Sequence, residues 1–254
     1  MPVARFSLFA ATAATALVSA GTALGRLESR AWIAGAITGY IALVGLGITQ
    51  PALRMFTDAL ARVDDGAALI VDLREDSGSL SELLALCQNR RCTITIALDT
   101  STAIAHASEL ERAIAEGHSL ALRDGSAAEE TPDRARPINS THRRIEELER
   151  DEARWAARLP DLETPELWLA DGLYTPALQR LADAFDRTLV APSHDLRAIT
   201  EPEALREKLV DALDHHAIVR VIDSPALRQQ LPAVLDSAGR LGVPVRALTL
   251  PDPG

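Results

Sequence analysis

From Ala67 onward, short apolar or β-branched runs alternate with amphipathic stretches, and this alternation restricts the fold more than any other feature of the chain. The strand-like runs are Ala67–Asp72, Thr93–Leu98, Ser119–Arg123, Glu166–Ala170, Thr188–Ala191, Ala217–Ile222 and Val243–Leu248. Helical patterns fill the gaps at Leu80–Gln88, Ser108–Glu116, Asn139–Arg158, Thr175–Phe185, Pro202–Leu213 and Ala226–Leu241, with Ser79, Gly117, Pro165 and Gly242 as caps and breakers. Strands separated by helices run parallel, which leaves two closures, an open doubly wound sheet or a barrel. No glycine-rich phosphate loop follows the first strand to favour a nucleotide fold. Asp124–Pro137 is polar, holds Pro132 and Pro137, and reads as a loop.

The first 50 residues differ in kind. Phe6–Gly25 and Ala31–Thr49 are uncharged, mainly apolar runs separated only by Arg26-Leu27-Glu28-Ser29-Arg30, and each is long enough to cross a bilayer as a helix. The expected organisation is a transmembrane hairpin in residues 1–50 (helices at about 6–25 and 31–49), a linker in 51–66 and one domain in 67–254. A hairpin places that domain on the same side of the membrane as the N-terminus. Arg26 and Arg30 in the turn compete with Arg5 and Arg54 on the flanks, so charge alone leaves the side open. Two other readings of the first run stay open: a signal peptide cut near Val18-Ser19-Ala20, and a buried soluble hairpin. Small residues in both runs would let two membrane helices pack closely.

Net charge is −10, and because residues 1–50 carry three Arg against one Glu, the remainder holds −12. Such a domain repels phosphate backbones and gains nothing from counterion release, which excludes nucleic acid and disfavours acidic glycans and anionic lipid. Lys208 is the only lysine, so an isolated arginine carries little information here. Cys87 and Cys92 are too few for a disulfide scaffold and match no zinc-finger spacing. They read as core thiols at a helix end and a strand start, able to pair only outside the cytoplasm. His106, His142 and His194 show no partner pattern and read as solvated, as does the adjacent pair His215 and His216.

In either closure, chemistry sits where strands end at their C-terminal edges. Asp72 ends the first strand, Arg123 the third, and Asp223 follows the sixth. Alternation along Ser119–Arg123 puts Ser119, Ala121 and Arg123 on one face. If that face lines a barrel, the Arg123 fork is expected to bridge Asp72 and Asp223.

Several segments together resemble the polysaccharide deacetylase (NodB homology) family. They are Leu69-Ile70-Val71-Asp72, Cys92-Thr93-Ile94-Thr95-Ile96 and the turn Glu116-Gly117-His118-Ser119-Leu120. Leu167–Gly172 followed by Tyr174–Leu178 resembles the family's Arg-Pro-Pro-Tyr-Gly segment and the helix after it, and Val219–Asp223 its late strand ending in His-Asp. Pro51–Phe56 is similar to the linker of anchored members. The resemblance implies a distorted (β/α)7 barrel behind the hairpin. It also implies metal-assisted hydrolysis of a carbohydrate acetyl group, with an Asp and two His on the metal, an Asp base, an Arg orienting the base and a late His acid.

Carried over position by position, the base is Asp72. The metal Asp falls on Leu73, the metal His on Arg123 and Ala127, the orienting Arg on Trp168 and the acid His on Ile222. Leu, Arg and Ala give a metal no lone pair, so no metal or other cofactor is expected. The expectation is a membrane-anchored pseudoenzyme of a bacterial cytoplasmic membrane, its domain extracytoplasmic. It would bind a glycan or a polysaccharide-processing protein through Arg123, Trp168, Asp171 and Tyr174, with Asp72 and Asp223 vestigial. The rival is an active carbohydrate deacetylase with a relocated metal or none.

Overall fold

The computed structural model describes residues 66–74, 79–123, 141–169 and 176–250, together with residue 39. The apolar runs at 6–25 and 31–49 and the linker before Gly66 otherwise lie outside the described residues. Among those described, no helix is long and apolar enough to cross a membrane.

The strands are β1 (Ala67–Asp72), β2 (Thr95–Leu98), β3 (Ser119–Arg123), β4 (Leu167–Leu169), β5 (Thr188–Leu189), β6 (His194–Asp195), β7 (Ile218–Ile222) and β8 (Val245–Arg246). The helices are α1 (Leu80–Asn89), α2 (Thr100–Ala105), α3 (Ala107–Ala115), α4 (Thr141–Arg158), α5 (Pro176–Ala184), α6 (Pro202–Asp214) and α7 (Pro225–Leu241). All pairings are parallel, in the order β5-β4-β3-β2-β1-β7-β6, with β8 added beside the start of β1. Two elements depart from the sequence expectation. Helix α2 occupies a stretch left unassigned, where Asp99 caps it by accepting from the Thr102 N–H at 2.8 Å. Strand β6 is only two exposed residues, too short for a periodic signal.

Burial decides between the two closures. Residues of one parity, among them Leu69, Val71, Ile96, Leu98, Leu120, Leu122, Trp168, Val219 and Val221, pack with apolar side chains from all seven helices. The other parity forms a separate cluster of Ala68, Ile70, Ala97, Ala121, Leu167, Leu169, Val190 and Ile218, joined only by Leu248 and Leu250 of the C-terminal segment. A doubly wound sheet carries helices on both faces. Among the described residues they cover one, and the other is filled by the strands' own side chains, as inside a barrel. The two sheet edges are joined by a single piece of chain: Val190 N–H donates to Trp168 O on β4, and Ser193 N–H to Ile218 O on β7.

Several helices enter the next strand through the same turn. After α1, Arg91 takes φ 53°, its N–H donates to Gln88 O, and the N–H of Cys92 reaches back to Cys87 O at 3.1 Å. Gly117 and His118 repeat the pattern after α3, Asp186 and Arg187 after α5, His216 and Ala217 after α6, and Gly242 and Val243 after α7. This is the Schellman cap, which satisfies the last carbonyls of a helix and turns the chain sharply. It explains the Gly117-His118 marker: a left-handed residue, then the residue that leads into a strand. At Gly66 (φ 96°) an added Cβ would sit 2.3 Å from Pro244 O, so only glycine lets β1 start against the C-terminal segment.

Candidate functional site

The C-terminal rim of the sheet gathers the charges. On the inner face of β1, Asp72 follows Ala68 and Ile70 in parity, and its carboxylate is wholly buried at 0% exposure. Its partner is Arg220 on β7, itself 2% exposed, which donates from Nε to Oδ1 and from Nη2 to Oδ2, both at 2.9 Å. Arg197, just beyond β6, brings Nη1 to 3.7 Å from Asp72 Oδ2 while its Nη2 donates to Asp195 Oδ2 at 2.6 Å. Burial would raise the Asp195 carboxyl, but the hydrogen bonds and charge of Arg197, helped by Arg220, hold it below the ordinary range.

Asp223 does not meet Asp72 through Arg123. Its carboxylate is gripped at both oxygens by Arg228 of α7 (2.9 and 2.7 Å), and Arg228 also reaches Glu82 of α1. These contacts push the already basic guanidinium further up. Arg123 donates from Nη2 to Asp99 Oδ2 at 2.8 Å. Burial pushes the Asp99 carboxyl up, yet the donors Thr102, Ser101 and Arg123 together bring it below its usual value. The expected bridge is therefore replaced by three separate pairs, because each rim carboxylate has an arginine nearer at hand.

Arg220 is the rim residue that the sequence reading missed. Its signal was a charge in the middle of the apolar run Ile218-Val219-Arg220-Val221-Ile222. In a chain whose cations are almost all arginine, that charge is easily passed over. Trp168 needs correction too. At 1% exposure it packs in the helix-side core and has no face to offer a ligand. Asp171, Tyr174 and Ala127 lie outside the described residues. One further side chain differs from expectation: His106 is partly buried, with Nδ1 2.7 Å from Glu109 Oε2. His215 and His216 are exposed as expected, with His216 Nδ1 3.1 Å from Gly66 O.

A hydrolytic metal does not fit these residues. Leu73 is fully buried in the helix-side core, on the opposite face from Asp72. The position carried over from a metal His holds the Arg123 guanidinium, a cation with no lone pair to give. Among the described residues, no three His, Cys, Asp or Glu side chains come together as a ligand set. Beside Arg197 lies a cavity of about 450 Å³ between the tops of β6 and β7 and the N-terminal ends of α6 and α7. Leu196, Ile199, Leu205, Val221, Ile222 and Gln229 are among its walls.

No family model matches the sequence, and no curated protein matches it. Solved structures do. A peptidoglycan N-acetylglucosamine deacetylase superposes with a TM-score of 0.60 at 12% identity, over 75% of this chain and 90% of that one. The domain has the polysaccharide deacetylase fold. A CE4 family pseudoenzyme from Bacillus anthracis gives a TM-score of 0.59 at 12% identity over 73% of this chain, which spans 64% of that protein's length. A peptidoglycan deacetylase from Bdellovibrio bacteriovorus gives 0.58 at 14% identity, over 76% of this chain and 54% of that one. The polysaccharide deacetylase fold thus accounts for the parallel sheet and the one-sided helices, and its structural neighbours include both enzymes and a pseudoenzyme.

Proposed function

We propose that this chain is a membrane-anchored, catalytically degenerate polysaccharide deacetylase-like protein that binds a glycan or a polysaccharide-processing protein at the outer face of a bacterial cytoplasmic membrane. One observation carries the reading: beside Asp72, at the position of the family's base, the positions carried over from metal ligands hold Leu73, fully buried in the helix-side core, and the Arg123 guanidinium, paired with Asp99. A general base must reach the proton that it removes. Asp72 is instead wholly buried, and since its Arg220 pair is also what an orienting arginine would make, the reading rests on that burial together with the Leu73 and Arg123 replacements. A deacetylase-like pseudoenzyme among the structural neighbours supports the same reading.

The apolar runs at 6–25 and 31–49 support anchoring, and the balance of −12 on the remainder favours a neutral glycan over an acidic one. The cavity beside Arg197 has the size and largely apolar lining of a ligand site. The test pairs two measurements on the purified protein with an acetylated amino-sugar oligomer: acetate release in the presence of divalent zinc, cobalt or manganese, and retention of the oligomer by immobilised protein. The expected outcome is retention without acetate release above the protein-free blank. Metal-dependent acetate release would replace the pseudoenzyme with the rival deacetylase.

A further inference from the structure

We propose that Cys87 and Cys92 form an oxidation site, a thiol pair that a disulfide-class oxidant converts into a bond stapling the end of α1 to the chain entering β2. The placement follows from the cap described above. In a Schellman motif the side chains three residues before the cap and two after it come into contact, and that contact is ordinarily apolar. With Arg90 as the cap residue and Arg91 left-handed, those two positions are Cys87 and Cys92. The backbone that brings them together is pinned by Cys92 N–H to Cys87 O and by Arg91 N–H to Gln88 O, both at 3.1 Å.

Both thiols are free and buried, and Cys92 Sγ lies 3.6 Å from the Cys87 carbonyl oxygen. Each shifts the other. The Cys92 thiol is held below its ordinary value by hydrogen bonding from Cys87, while that same contact and burial push Cys87 up. Cys92 is thus the thiol of the pair that gives up its proton more readily, and Cys87 the one that follows. Gln88, Asn89 and Arg91, the turn between them, are exposed, and of the two cysteines Cys92 is the one that reaches the surface, at 7% exposure.

The chemistry balances with a disulfide as co-reactant. The Cys92 thiolate attacks one sulfur of the reagent and expels one reagent thiol, leaving a mixed disulfide. Cys87 then loses its proton, attacks the Cys92 sulfur and expels the second reagent thiol. Protein dithiol and reagent disulfide become protein disulfide and two reagent thiols. A protein disulfide of an oxidising compartment is the matching cellular oxidant, whereas a reducing cytoplasm keeps the pair open. The site lies at the end of the barrel away from the charged rim. Beyond Cys92 the chain holds the C-terminal segment: Thr93 N–H donates to Val245 O, and Thr93 Oγ1 accepts from Ala247 N–H. The staple therefore fixes this bottom junction rather than the rim.

The experiment treats the reduced, folded full chain with dipyridyl disulfide and reads released thiopyridone and protein mass. The expected result is two thiopyridones per chain, a mass lower by two hydrogens with no pyridyl adduct, and a cross-linked Cys87–Cys92 peptide after digestion. Cys87→Ala should release one and keep the adduct, while Cys92→Ala, which lacks the first attacking sulfur, should react far more slowly. Wild-type protein that releases nothing until it is unfolded, or that ends with two stable adducts, overturns the proposal. Should a variant fail to fold, the wild-type mass and peptide map decide alone.

Discussion

Replacing Arg220 by Met keeps roughly the volume and removes the charge, leaving Asp72 buried with no fork around it. Breaking a buried ion pair from one side costs about 3–5 kcal/mol, because the surviving charge is stranded. Arg197 offers limited relief, since its nearest nitrogen is 3.7 Å from Asp72 and it is already bound to Asp195. Urea unfolding of wild type, Arg220→Met, Asp72→Asn and the double variant at pH 7 reads the loss. The double variant should recover at least about 2 kcal/mol relative to additive losses. A loss under about 0.5 kcal/mol in Arg220→Met would refute the reasoning, since that is how a solvated pair behaves.

Arg123→Ala should cost about 2 kcal/mol, the worth of a charged hydrogen bond, and let the Asp99 carboxyl rise in a titration followed by NMR. A double-mutant cycle should couple Arg123 to Asp99 and leave it uncoupled from Asp72; coupling to Asp72 would restore the bridging role. Burial holds the His118 imidazole below its ordinary 6.5, and Nδ1 accepts the Ile94 N–H at 3.0 Å, a bond that protonation removes. His118 thus stabilises the fold above pH 6.5, and that contribution falls as pH drops through 6.5 to the folded value. Urea midpoints should show this acid loss in wild type and not in His118→Gln, and an imidazole titrating above 6.5 would contradict it. Leu73→Asp puts a carboxylate in the helix-side core and should cost about 3 kcal/mol or more by urea unfolding. A smaller loss would mean that residue 73 can turn toward the rim.

Periodicity made the repeating strands and helices legible because each buries a full apolar face, and the Gly117-His118 marker proved to be one instance of a recurring helix cap. Elements that lacked such a face were missed: β6 is exposed, and α2 is a single short helix started by the Asp99 cap. The choice between barrel and open sheet was not legible, since both use the same alternation; it rests on which side of the sheet the helices lie. At the rim, strand ends located Asp72 and Arg123 correctly, but pairing is a property of neighbouring strands and not of sequence spacing. Nothing local tells that β1 lies beside β7, and without that neighbour Arg220 cannot be assigned to Asp72. Trp168 misled for the opposite reason: the resemblance placed it at the position of the orienting Arg, while its parity sends it into the core.

The central claim, that guanidinium and leucine stand where a deacetylase of this fold holds its metal ligands, is tested most directly by metal content. Purified full-length protein, incubated with excess zinc and dialysed exhaustively, is measured by elemental analysis. The account predicts retained zinc far below one equivalent per chain, unchanged in Asp72→Asn. Retention near one equivalent, lost in Asp72→Asn, would contradict it and place a working metal at the rim.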